Sequence, residues 1–285
     1  MEGLAIRPNG TYVDATYGGG GHSKAILDRL DEGRLIVFDQ DKDAANQVPQ
    51  DKRLVFVRQN FRHIKAYLKL NKAIPVDGIL ADLGVSSHQI DTPDKGFATR
   101  FEGPLDMRMD SDNALTAASV VNNYEQQDLV RVFSDYGEVT NSKTLASTLV
   151  EARSSKPMES TTDLKEAVSN IVRGNRNKYL AQVFQALRIE VNDELGALRD
   201  LLKQSGEVLS EGGRMVVMSY HSLEDRLVKN YFRAGVFSGE PEKDLYGNYE
   251  TPFKLITRKP IEAGEEEVGR NPRARSAKLR IAAKA

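Results

Sequence analysis

The sequence contains no cysteine. Disulfides, a thiolate nucleophile and a cysteine-ligated metal are excluded together. No apolar run approaches the roughly 18 residues needed to cross a bilayer. The opening residues, Met1-Glu2-Gly3-Leu4-Ala5-Ile6-Arg7-Pro8, lack the apolar core of a signal peptide, so the cytoplasm is the expected location. The four histidines, His22, His63, His88 and His221, form neither H-E-x-x-H nor another tight metal spacing, and no metal is expected. Asp82, Ser86, Ser87 and His88 lie close together, but without a G-x-S-x-G elbow they argue against hydrolysis. An excess of one charge is also lacking. Lys+Arg 40 against Asp+Glu 41 leaves a net charge of -1, which neither predicts nor excludes a nucleic-acid partner.

What is present is an ordinary globular composition, 40% hydrophobic and 28% charged, over 285 residues. At about 150 residues per domain this is two units or one large one. Charge is uneven along the chain. Arg173, Arg176, Lys178 and Arg188 lie in a stretch without acidic residues, as do Arg270, Arg273, Arg275, Lys278, Arg280 and Lys284. Both stretches are candidate phosphate contacts or, equally, solvated surfaces. Glu265-Glu266-Glu267 interrupts the approach to the second, which suggests a shaped element instead of a uniform cationic arm.

The first third alternates strand and helix. Thr11 to Thr16 is β-prone, Gly18-Gly19-Gly20-Gly21 follows, and Ser23 to Leu30 reads as a helix stopped by Gly33. Leu35-Ile36-Val37-Phe38 reads as a strand buried on both faces. Asp43 to Val48 and Phe61 to Leu70 read as helices, Leu54 to Val57 and Val76 to Leu80 as strands. The alternation predicts an α/β fold with a mostly parallel sheet. Gly18 and Gly20 satisfy two positions of G-x-G-x-x-G, Ser23 occupies the third, and no G-K-[ST] follows. Such glycines admit a ligand close to the backbone. Asp39, 21 residues after Gly18 at a strand end, is placed to accept ribose hydroxyls. Asp14 and Asp82, also at strand ends, suit a cationic methyl donor. Asp14-x-Thr16-x-Gly18 therefore favours S-adenosylmethionine over NAD.

Between the fourth and fifth strands the pattern turns helical. Helices are expected over Tyr124 to Phe133, over Lys143 to Arg153, after a cap at Thr161 or Thr162, and as one long element from Tyr179 to Leu202. Met107 and Met109 read as core filling. Gly212 to Ser219 restores the strand pattern, and Ser222 with Asp225 reads as a capping box. Phe253 to Thr257 and Leu279 to Ala282 suggest an edge hairpin. The expected organisation is a core over 1–112 and 203–285, interrupted by a helical insertion over 113–202.

Asp14-Ala15-Thr16-Tyr17-Gly18-Gly19-Gly20-Gly21-His22-Ser23 closely resembles the cofactor signature of the bacterial ribosomal RNA small-subunit methyltransferase H family. Further blocks match in family order. They are Asp82-Leu83-Gly84-Val85-Ser86-Ser87, Leu105-Asp106-Met107-Arg108-Met109-Asp110, Phe184-Gln185-Ala186-Leu187-Arg188-Ile189 with Val191-Asn192, Ser219 to Arg226, and Asn271 to Arg280. The resemblance covers nearly the whole chain. It implies a class I Rossmann-like methyltransferase core interrupted by a helical domain that helps hold RNA. It also implies methylation of N4 of a cytidine in the decoding centre of 16S rRNA, with S-adenosylmethionine as donor, and a homodimer.

The implied cofactor residues are Gly20, Gly21, His22, Asp39, Phe61, Asp82 and Gln89, beside Asp14 and Gly18 from the glycine signature. Asp39 would take the ribose and Phe61 would lie beside the adenine. Asp82 and Gln89 would lie near the adenine side or the methionine end. His22 reads as a cofactor contact or as a buried helix-start histidine. For the acceptor, Asp106, His221 and Asp225 are the candidates to orient the amine or accept its proton, and Arg108 to meet a phosphate. Alternatively this polar set ties the inserted loop to the core. No D-P-P-[YF] motif is present, so the usual clamp for an amine is not visible.

Three features depart from the family pattern. A segment with His, Pro-Val and Leu, expected upstream of Gly3-Leu4 at the cofactor mouth, does not occur. His88 stands where proline is usual. Asn177-Lys178-Tyr179-Leu180-Ala181-Gln182 replaces a His-Pro block. Competing readings are a methyltransferase of DNA or protein, a noncatalytic rRNA-binding assembly factor, and a dinucleotide oxidoreductase.

Overall fold

The computed structural model describes residues 1–241 and 249–285. The chain forms two compact units, Met1–Gly84 with Leu195–Ala285, and Val85–Glu194. These boundaries differ from the sequence-based 112/113 and 202/203. Leu105 and Met107 are buried in the core of the helical unit, so the irregular segment after the fourth strand belongs with the helices. At the other end, the helix Glu194–Val208 leads directly into the fifth strand. Among the described residues, no helix is long and apolar enough to cross a membrane.

The first unit is built on one sheet. Its strands are β1 (Thr11–Asp14), β2 (Arg34–Phe38), β3 (Leu54–Val57), β4 (Val76–Asp82), β5 (Leu209–Ser219), β6 (Phe253–Leu255), β7 (Ile261–Glu262) and β8 (Lys278–Lys284). The order is β3-β2-β1-β4-β5-β8-β6, with β7 also on β8. The first five strands run parallel and β8 runs antiparallel to β5. This is the Rossmann-like α/β core expected for a class I methyltransferase. Leu35, Ile36, Val37 and Phe38 are completely buried, which is why β2 reads as an unbroken apolar run. The expected antiparallel C-terminal pair is present at the sheet edge: β6 pairs with β8, which lies between β5 and β6, and a helix over Glu265–Arg270 lies in the connection between them. The acidic triplet forms the first turn of that helix.

The chain leaves the first unit after β4, and the helical unit occupies the β4-to-β5 crossover. It contains helices Ala117–Asn123, Gln126–Asp135, Ser142–Ser155, Thr161–Ala167 and Arg176–Asn192. Val120, Leu129, Phe133, Leu145, Leu149, Val183 and Leu187 are completely buried in their common core. The cap before Thr161 is Ser160, in a box with Asp163, whereas Thr161 is buried and donates its hydroxyl to the Phe101 carbonyl. The expected single helix from Tyr179 to Leu202 is two helices. Asp193 takes a left-handed conformation (φ 45°), which ends the first. The apolar period runs through this break unchanged and cannot reveal it.

Candidate functional site at the carboxyl ends of the strands

Parallel pairing continues past β1 into the glycine turn. The Ala15 N–H donates to the Leu80 carbonyl at 2.8 Å, and the Tyr17 N–H to the Phe38 carbonyl at 2.9 Å. The turn is thereby suspended between β4 and β2. Asp14 is completely buried, accepting from the Thr16 N–H at 3.1 Å and the Ser23 hydroxyl at 2.6 Å. Burial pushes its carboxyl up from the usual range, and those two hydrogen bonds oppose the shift. Asp14 therefore shapes the turn from beneath and does not face its open side.

The four glycines have different reasons to be glycine. Gly18 (φ 52°) and Gly20 (φ 74°) are left-handed. A Cβ on Gly20 would also lie 2.7 Å from the Tyr17 hydroxyl oxygen, which is held by the Gln47 carbonyl. A Cβ on Gly19 or Gly21 would meet no other group within 4 Å. Among the described residues, the immediate surroundings of those two Cα atoms are thus free of side chains.

Asp39 follows β2. Its Oδ2 accepts from the Gly18 N–H at 2.8 Å and its Oδ1 from the Asp41 N–H at 2.8 Å. Burial raises its carboxyl, against those two bonds. Each oxygen keeps further acceptor capacity for a ligand hydroxyl. Phe61 is half-buried and starts a short helical turn after β3. The preceding Asn60 donates its side-chain amide to Gln40 at 2.9 Å, linking that turn to the end of β2.

Asp82 ends β4 and gathers three other segments. Its N–H donates to the Thr16 hydroxyl at 2.7 Å. Its Oδ2 lies 3.2 Å from Nε2 of His22, and its Oδ1 accepts from the Tyr220 hydroxyl at 2.8 Å. The side chains of Asp82 and His22 remain 27% and 40% exposed, so both can meet a ligand and His22 is not sealed in the core. The hydrogen bond to Asp82 is the main cause that raises the His22 imidazole above 6.5, against desolvation. Burial, then the charge of Asp82, push the Tyr220 phenol well above its ordinary range, leaving it a neutral donor. Tyr220 is absent from the sequence-based candidates. Its one signal is its position directly after β5, the counterpart of Asp14 and Asp82 on their strands.

Other candidates are placed differently. Gln89 is buried and its side-chain carbonyl accepts from the Ser86 N–H in a capping box. Asp106 and Arg108 pair with each other, at 2.9 and 2.8 Å, and Arg108 also donates to the carbonyls of Ser111 and Asn113. Burial alone would raise the Asp106 carboxyl, but the bonds from Arg108 outweigh it and hold it low, which makes Asp106 a weak base. These two residues shape their own loop, as does Asn192, which contacts Met107 and Met109. Met107 is completely buried and Met109 half-buried.

The capping box before the helix Ser222–Ala234 uses His221 and Glu224, one residue earlier than the expected Ser222 and Asp225. His221 Nδ1 accepts from the Glu224 N–H, and its Nε2 lies 3.2 Å from the Glu224 carboxylate. Asp225 instead pairs with Arg280 of β8 at 2.7 and 3.1 Å, almost buried. Arg188 is likewise engaged, with Glu194 at 2.7 and 3.0 Å. Arg173, Arg176 and Lys178 are exposed in the helical unit, and Arg273 and Arg275 in the first unit.

The chain matches the MraW methylase family over residues 1–285. It is 56% identical over 287 residues to "Ribosomal RNA small subunit methyltransferase H" of Flavobacterium johnsoniae, covering 100% of this chain and 94% of that protein. The protein of the same name from Cytophaga hutchinsonii is 54% identical over 285 residues, covering 99% and 95%. The crystal structure of an rRNA methylase from Streptococcus thermophilus overlays with a TM-score of 0.44 at 12% identity, covering 99% of this chain and 92% of that one. The donor of such methylases is S-adenosylmethionine. The residues present fit it, with open space before Gly19 and Gly21 and accessible carboxylates at Asp39 and Asp82 on either side of the turn. A family match over every residue and relatives more than half identical over nearly their full length establish that this chain belongs to the MraW methylase family, whose members depend on S-adenosylmethionine.

Proposed function

We propose that this chain transfers a methyl group from S-adenosylmethionine to N4 of a cytidine in the decoding centre of bacterial 16S rRNA, within the small ribosomal subunit in the cytoplasm. The RNA and the subunit are supported by the names of its relatives. The N4 atom and the decoding centre are supported by the six sequence blocks and their resemblance to the methyltransferase H family.

The observation that carries the reading is the strand order β2-β1-β4. It sets Asp39 on one side of the glycine turn and Asp82 on the other. Asp39 holds the ribose hydroxyls, Gly19 and Gly21 admit close approach to the backbone, and Phe61 lies beside the adenine. Asp82 then faces the reacting end. The bound donor supplies an electrophilic methyl on a cationic sulfur. An exocyclic amine is a poor nucleophile because its lone pair is delocalised into the ring. A carboxylate that accepts its N–H localises that pair, and the proton lost as the C–N bond forms has an acceptor at Oδ1 or Oδ2 of Asp82. We assign this role to Asp82, whose side chain is 27% exposed, instead of Asp106 or Asp225, whose carboxylates are ion-paired with Arg108 and Arg280, or His221, which is almost buried.

Arg173, Arg176 and Lys178, with Arg273 and Arg275, contact RNA phosphates. A base in folded RNA is unstacked before it can be methylated. Substrate competition tests the reading. With labelled S-adenosylmethionine, unmodified small subunits are expected to take the label, while duplex DNA and bulk protein are not. Label on DNA or protein in preference to small subunits overturns it.

A further inference from the structure

We infer that Tyr220 is a positioning residue for the methyl transfer, acting through Asp82; the inference rests on the function proposed above. Tyr220 belongs to none of the implied site residues, yet its hydroxyl binds the carboxylate at the end of β4. The two Asp82 oxygens have different donors from different strand ends. Tyr220, after β5, binds Oδ1, and His22, after β1, lies against Oδ2. The carboxylate torsion of an aspartate is intrinsically broad. Donors on separate oxygens restrict its plane more than either does alone, and a charged donor holds it more firmly than a neutral one.

Tyr220 is itself held. Its backbone N–H donates to Oε2 of Glu224 at 2.9 Å, so the capping box of the following helix sets the position of the tyrosine. A Cβ on Gly84 (φ 90°), two residues beyond Asp82, would meet only the Tyr220 ring, at 3.8 Å.

The two donors differ in chemistry. The phenol stays neutral and donates at every working pH. The imidazole donates most strongly when protonated, in surroundings that include Asp82, Asp14 and the chain amino group. Glu224 and Glu267 add negative charge near Tyr220, which keeps the phenol protonated. Tyr220 thus makes the orientation of Asp82 less dependent on His22 protonation.

The test is Tyr220→Phe, which removes one oxygen from a half-buried side chain. The expected protein folds and binds S-adenosylmethionine within about threefold of wild type, while kcat on small-subunit RNA falls about ten- to a hundredfold. The loss is expected to be smallest at low pH, where the imidazolium alone can hold Asp82, and to deepen as His22 deprotonates. In the Tyr220→Phe, His22→Gln double variant that pH dependence disappears.

A second readout needs neither cofactor nor RNA. In the free protein, NMR titration of His22 should move further upward in Tyr220→Phe, because the Asp82 charge is no longer shared with the phenol. In an Asp82→Asn background, Tyr220→Phe should change kcat no further. Wild-type kcat at all pH values with an unaltered His22 titration overturns the inference. A wild-type chain that methylates no small subunit overturns the proposed function instead, and the His22 titration still decides whether Tyr220 governs Asp82.

Discussion

The Tyr220 hydroxyl meets the Asp82 carboxylate at 2.8 Å across 138 residues of sequence. The whole helical unit lies between them in the chain. The β4–β5 pairing that places Asp82 beside Met218 brings the two strand ends together. The site is therefore completed only when the halves of the first unit, separated by the insertion, join in one sheet.

The glycine turn separates folding from binding. Gly20→Ala places a Cβ against the Tyr17 hydroxyl at a left-handed position and should cost about 2 kcal/mol, read as a lower melting temperature. Gly19→Ala faces open space. It should stay within about 1 kcal/mol of wild type in stability but weaken S-adenosylmethionine binding at least about tenfold by calorimetry. Equal stability losses in the two variants would contradict the geometry.

The His22–Asp82 contact gives a pH signature. The folded imidazole titrates above 6.5, so its stabilising contribution is fully present below 6.5 and is lost as pH rises through the folded value. The stability gap between wild type and His22→Gln should therefore narrow between pH 5.5 and 8.5. The contact is 40% exposed on the histidine side, so the gap is small at every pH. Denaturant melts across that range check it, and a gap that widens with pH contradicts the assignment.

Asp225 stabilises the fold by joining the helix Ser222–Ala234 to β8. Asp225→Ala leaves Arg280 without its carboxylate in a nearly buried place and should cost about 3 kcal/mol. S-adenosylmethionine affinity, measured well below the melting temperature, should stay within about threefold of wild type.

Much of this was legible in the residues, and the exceptions share a cause. β2 could be read because four consecutive apolar side chains have nowhere to go but a two-sided core. Asp39 could be read because its offset from the glycines follows from one strand–turn–helix–strand unit. Asp14 was legible as important but not as buried, because spacing does not say which side of a turn a carboxylate faces. Arg108 and Arg188 resemble phosphate ligands in the sequence because their carboxylate partners, Asp106 and Glu194, are fixed only by the local fold. The break at Asp193 left the apolar period intact. Tyr220 was missed because its partner lies far away in sequence and only the sheet joins them.

The exposed basic group on the helical unit should act on RNA alone. Replacing Arg173, Arg176 and Lys178 by alanine should weaken small-subunit RNA binding and lower the salt dependence by about two counterions. S-adenosylmethionine affinity should not change. An unaltered salt slope would show that these side chains are only a solvated surface.

The most direct test is mass spectrometry of 16S rRNA from small subunits lacking the modification, incubated with this chain and methyl-labelled S-adenosylmethionine. The account predicts label on cytosine N4 at a single decoding-centre position. Label on another atom or at many sites, or no label while the cofactor binds, would contradict it.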